Sequence, residues 1–276
     1  MCLQHLLRWI FYLVVAGASI VATPFLHTPS APARDLQPAI EAGVAFLKSQ
    51  YNAELGLLQE SPDIGQHNYY LTNDNALATY TLETLGVESE LAAALRASLK
   101  RYGYDDNGFI NVAWGQQIRW PPYHHKDIVV AQTGQDRILQ ETHTGPGYFY
   151  DWSAYSNLAF MAALNEYNQN YQESARRLYK IEMSTFDGLG WHDKAYWDRD
   201  GVYETIGPAW ALYVGATIGA PPNRQNLQIL QVLLDQQDPI TGGFHTHYRP
   251  GAPRLADPNI ETTSLALLAL HAWQEK

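Results

Sequence analysis

The chain is poor in cysteine and in charge. Its one cysteine, Cys2, leaves no partner for an internal disulfide, so stability has to come from a packed core. Cys2 also stands ahead of the first apolar run rather than after it, which does not suit a lipid-attachment cysteine. Only 17% of the 276 residues are charged, the net charge is −10, and no basic stripe occurs, which speaks against nucleic acid as a partner. Several chemical templates are missing. There is no P-loop, no G-x-G-x-x-G after a strand, no G-x-S-x-G, no H-E-x-x-H and no C-x-x-C. No cofactor and no bound metal is expected.

What is present is apolar and aromatic. The length suits one large domain or two small ones, and hydrophobic residues, 46% of the chain, are enough for a sizeable core. Eight tryptophans and eighteen tyrosines exceed what a core alone requires, and such aromatics often line pockets.

Residues 1–33 look like a targeting segment. Arg8 precedes an uncharged run over 9–26, and Ala31-Pro32-Ala33 has the form of a cleavage site. A secretory signal peptide is one reading. An uncleaved membrane anchor through residues 9–26 is the other, because about 18 apolar residues just reach across a bilayer. Either reading places a domain over 34–276 outside the cytoplasm, secreted, periplasmic or held at the membrane. The sequence is silent on oligomeric state.

The rest of the chain repeats one order of features. Glycine-containing turns at Gly56, Asp106, Asp187 and Thr241 run into an apolar or aromatic residue and then a polar one. A loop follows each, then a carboxylate, then an apolar run. The carboxylates are Asp74, Asp151, Glu204 and Glu261. Between these runs, the segments 36–51, 88–102, 171–186 and 223–237 space their apolar residues at three and four, the mark of amphipathic helices. Inner helices apolar on all faces thus alternate with outer helices that keep a polar face. A period of about 50 residues implies stacked hairpins, since one hairpin cannot bury its own apolar face. The expected fold is all-α, with about four helical hairpins and a β-hairpin insertion near 111–148, where β-branched residues flank Thr133-Gly134-Gln135.

Gly242-Gly243-Phe244 followed by Glu261-Thr262-Thr263-Ser264-Leu265-Ala266 resembles the α/α-toroid proteins, and Asn73-Asp74-Asn75-Ala76-Leu77-Ala78 is a second, weaker likeness. That group includes terpene cyclases, prenyltransferase β subunits, thioester domains and (α/α) glycosidases and lyases. The resemblance implies a toroid-like barrel but does not choose an activity, because such folds host unrelated chemistries. The D-x-D-D acid of the protonation-initiated cyclases, the Cys-Gly-Glu-Gln of the thioester proteins and the zinc-binding cysteine of the prenyltransferases are all absent. Carbohydrate-active branches remain.

If the inner helices run parallel, their N-termini gather at one mouth. Asp74, Asp151, Glu204 and Glu261 then converge there as candidate catalytic acids or bases for a glycoside hydrolase or polysaccharide lyase. The competing reading makes each acid a cap for its helix. Tyr150, Trp152, Trp191, His192, Tyr203, His245 and His247 lie in turns or at helix starts and are candidate substrate-binding residues. An acidic, aromatic cleft suits a neutral or cationic saccharide better than a uronate-rich one. A non-catalytic module for a glycan or protein partner, and a cyclase-like enzyme with a deep apolar cavity, are the alternatives.

Overall fold

Segments apolar on every face have paired with segments apolar on one face throughout the chain. A computed structural model describes residues 35–62, 67–105 and 108–276, and these belong to the unit Asp35–Lys276. The chain starts with α1 (Gln37–Ser49) and passes through β1 (Tyr51–Asn52), β2 (Leu57–Leu58) and β3 (Asn68–Leu71) into α2 (Thr72–Leu85). Helix α3 (Ser89–Arg101) returns beside α2. A 3-10 segment, Phe109–Trp114, leads to β4 (Tyr123–Thr133) and β5 (Asp136–Tyr148). Next come α4 (Ser156–Asn168), α5 (Gln172–Met183), the single turn α6 (Trp197–Asp200) and the two-residue β6 (Tyr203–Glu204). The chain closes with α7 (Ile206–Thr217), α8 (Arg224–Asp235), β7 (His245–Arg249), β8 (Ala252–Pro258) and α9 (Ile260–Gln274).

The inner helices are α2, α4, α7 and α9. Helix α7 buries every residue from position 206 to 215, and α9 buries all of 262–270. A helix apolar all round is stable only when surrounded. Accordingly α9 lies between α2 and α7, α7 contacts α4, and the 3-10 segment joins α4 to α2. The amphipathic helices cover the outside, α1 on α9, α3 on α2, α5 on α4 and α8 on α7. Leu77, Phe160, Trp210 and Leu267 are fully buried in the interior. Each such side chain contributes about 1.5–3 kcal/mol by leaving water. Pro208 is the third residue of α7, where a missing N–H costs no helical bond.

The fold is mixed α/β, which corrects the all-α expectation. Among the described residues about 50% are helical and 19% lie in strands, in three sheets. Strands β1 and β2 pair antiparallel. Strands β4 and β5 form a hairpin, and β3 joins β5 in parallel, giving the order β3-β5-β4. The third sheet has the order β6-β7-β8. The physical reason is backbone satisfaction. The stretches leading into inner helices run over one another, and their N–H and C=O groups need partners where water is displaced. Two-residue strands and bulged strands do this without a period-2 pattern that a sequence reading detects.

The transmembrane expectation is corrected as well. Among the described residues no helix is long and apolar enough to cross a membrane. Residues 1–33, on which the signal-peptide and anchor expectations fell, lie outside the described residues.

Candidate active site

Sheets deliver three of the inner helices to one end of the bundle. Strand β3 runs directly into α2, β6 stops one residue short of α7, and β8 precedes α9. The fourth inner helix, α4, has its first N–H, that of Ser156, bound by Asp193 Oδ2 at 3.2 Å. Carboxylates from all these entrances meet.

Asp74, in the first turn of α2, is only 7% exposed. The carboxyl within hydrogen-bond reach of it is Glu60, and the charges of Glu261 and Glu141 also act on it. Burial and these acids push Asp74 well above the usual carboxylate range. Glu60 sits after β2. Its Oε1 accepts from Asn259 Nδ2 at 2.8 Å, while its Oε2 is buried without an N–H donor among the described residues. Burial raises Glu60 to about 7. Glu261, on α9, is raised to about 8 by burial and by the charges of Glu60, Glu141 and Asp127. Glu204 is raised well above its ordinary value by burial, then by Asp193 and Glu261.

These acids are not acting as caps. Asp74 makes no capping bond to α2. The cap of α9 is Asn259, whose side chain accepts from Thr262 N at 2.8 Å, not Glu261. Glu204 belongs to a strand. A helix N-terminus lowers a nearby carboxyl's pKa by its dipole. Here desolvation and like-charge repulsion outweigh that effect.

Asp74 and Glu261 line a cavity of about 340 Å³ with Asp127, Glu141, Asn73 and Asn157, closed on the apolar side by Phe109, Tyr155 and Met161. Asp127 and Glu141 face each other across β4 and β5. Glu141 is held by His125 and by Asn73 Nδ2, the latter at 3.0 Å. Tyr196 stands among Glu204, Glu261 and Asp193, and burial with those charges raises its phenol to about 12. It therefore remains a neutral donor amid acids at neutral pH. No group of three or more His, Cys, Asp or Glu among the described residues is arranged to hold a metal ion.

Asp151 stands apart from this group. It is exposed and ion-paired with Lys194, which lowers its pKa. The expected binding residues are scattered. Trp191 is 4% exposed, with its indole N–H donating to Glu182 O at 3.0 Å, so it belongs to the core. Tyr150 is 74% exposed, and Trp152 packs edge-on against Trp120. His192 stacks on Trp197 at 4.1 Å and pairs with Asp187, and Tyr203 OH donates to Asp187 at 2.6 Å. His245 is engaged by Asp238 and by Ala256 O. His247 is nearer the acids, since it pairs with Glu204 across β6 and β7 and its ring meets Tyr196 at 4.3 Å. Burial lowers its pKa, and its Nε2 is buried without a partner among the described residues.

Sequence reasoning missed Glu60, Asp127, Glu141, Asp193 and Tyr196. Glu60 and Asp193 did carry a signal, for each is a polar residue closing a repeated glycine turn. Asp127 and Glu141 carried none, because only the hairpin register brings them to α2.

No family model, no curated protein and no solved structure matches the chain.

Proposed function

We propose that this chain is an exported carbohydrate-active enzyme, a glycosidase-like hydrolase or a lyase, working at the carboxylate cavity. One observation carries the reading. Among the described residues Glu204 and Glu261 have no N–H or O–H donor, Asp74 has only another carboxyl, Glu60, as its hydrogen-bond neighbour, and the charge of Glu261 raises both Asp74 and Glu204. A structural role would supply donors, because an unpaired buried charge is destabilising. A proton-transfer role uses the arrangement directly. Acid–base catalysis is most efficient with a pKa near the working pH, and Glu261 at about 8 is protonated and able to donate to a leaving oxygen. An ionised neighbour then serves as base or nucleophile. Because the carboxyls are coupled, protons leave the group as a set. Phe109 and Tyr155 offer ring faces for a sugar, and Asn73 and Asn157 offer amides for its hydroxyls.

The four helix pairs around a packed centre support the resemblance to α/α-toroid glycosidases. A cyclase has less support, because the space between the inner helices is filled by Phe160, Trp210 and their neighbours. The non-catalytic alternative gives no reason to gather carboxyls without donors around one cavity.

The test is turnover of a broad glycan panel by the wild type, Glu261→Gln and Glu204→Gln, read as new reducing ends or unsaturated products. Loss of about 10²–10⁴-fold in both variants is expected. Glycan binding without turnover in the wild type would favour the binding module, and undiminished turnover in both variants would remove these acids from the chemistry.

A further inference from the structure

Four carboxylates line the cavity, Asp74, Asp127, Glu141 and Glu261, and no lysine or arginine does. Asp127 and Glu141 are cross-strand partners, an arrangement that weakens a sheet when both carry like charge. Glu141 has His125 and Asn73 against it, whereas Asp127 has no donor among the described residues. Asp74, more than nine-tenths buried, faces the cavity with another carboxyl as its hydrogen-bond neighbour. Protons relieve part of the repulsion within such a wall, and a positive group entering the cavity would relieve the rest.

Two occupants would relieve it. A bare divalent cation needs several oxygens converging at about 2.0–2.6 Å. The described residues contain no such group. An ammonium on a larger molecule needs no common centre, since its three N–H donors reach separate acceptors. The cavity, at about 340 Å³, is also larger than an ion and has Phe109 and Tyr155 on its wall. Aromatic faces attract a cation and accept the flat side of a sugar ring.

We propose that the cavity binds a saccharide bearing a free amino group, with the ammonium among Asp74, Asp127 and Glu141 and a ring face on Phe109 or Tyr155. This deepens the hydrolase reading and rests on it for the word saccharide. N-acetylation of such a sugar keeps its skeleton, removes the cation and adds an acetyl group, so Asp127→Asn isolates the part that charge plays.

Calorimetric titration of the full chain at low salt tests this, with a soluble glucosamine oligosaccharide, its N-acetylated counterpart and calcium chloride as separate titrants. The amino form should bind at least about tenfold more tightly than the acetylated form, as charge-assisted bonds to several carboxylates imply. Asp127→Asn, an isosteric change at an exposed strand position, should lower affinity for the amino form about tenfold and leave the acetylated form unchanged. Equal or tighter binding of the acetylated form overturns the proposal. So does an equal loss for both ligands in Asp127→Asn, or binding of calcium with neither saccharide. Cleavage is followed in the same samples. Amino-sugar binding without cleavage removes the hydrolase reading and leaves the ligand class standing. Cleavage confined to the acetylated form does the reverse.

Discussion

Glu60 and Asp74 present two carboxyl groups to each other, and Asn259 supplies the nearest side-chain donor to Glu60. Two acceptors in that position hold together through a proton. The folded chain therefore retains protons that the unfolded chain loses, and this sets a sign. Glu60 and Glu261 have folded values of about 7 and about 8, both above the ordinary carboxylate value. Their contribution to stability is complete below the unfolded pKa and is lost as pH rises through the folded one. Asp238, held at about 2 by backbone N–H groups and His245, acts oppositely, and its contribution is lost only as pH falls toward that value. Urea midpoints should therefore fall between about pH 5 and pH 8. Glu261→Gln should flatten that fall and stabilise the protein at the upper end by something on the order of 2 kcal/mol. A flat wild-type profile would show that the cluster holds no such proton.

Asp151 and Glu204 offer a paired comparison. Both open apolar runs in the sequence, but Asp151 is exposed against Lys194 and Glu204 is half-buried beside Glu261 and Asp193. Asp151→Asn should leave both turnover and stability unchanged. Glu204→Gln should abolish turnover while the fold persists, as read by circular dichroism.

Asn259 does two jobs with one side chain. Its Oδ1 caps α9, and its Nδ2 donates to Glu60. Asn259→Ala should cost about 1 kcal/mol for the cap. It should also push the pKa of Glu60 further up, moving the acid limb of the activity profile with it. Asn259→Asp keeps the cap and adds another negative charge beside Glu60, so its damage should grow with pH. Thermal melts at two pH values distinguish the variants.

Gly243 is needed for space. A Cβ there would lie 2.7 Å from Phe46 on α1 and 2.7 Å from Pro258, the last residue of β8. Gly243→Ala should destabilise by about 1–3 kcal/mol, the usual range for overpacking. Because Pro258 adjoins Asn259, activity should fall further than the melting temperature implies.

The helical part of this molecule was legible because its signal is local. An inner helix such as α9 is apolar on all sides, and an outer helix such as α8 has one apolar face, so order and pairing could be read directly. Strand β6 has two residues and no alternation, and β8 runs through a proline-containing stretch with left-handed residues at Arg254 and Ala256. Nothing local marks either as a strand, so a mixed α/β fold read as all-α. The site divides the same way. Asp74 and Glu261 each open an apolar run and were visible. Asp127 and Glu141 reach the cavity only through the register of a long hairpin, which is a property of the folded chain. The role of Asp193 was hidden differently. It lies beside His192, and the structure uses it to hold the start of α4.

Helix α9 has one more consequence, and it concerns proteolysis. It lies between α2 and α7, and it brings Glu261, with the Asn259 that caps it, to carboxyls supplied by distant parts of the sequence. A chain cut in the loop ahead of Ile260 and stripped of this helix therefore has a gap in its centre and half a cavity. A single nick there would open the core and dismantle the site together.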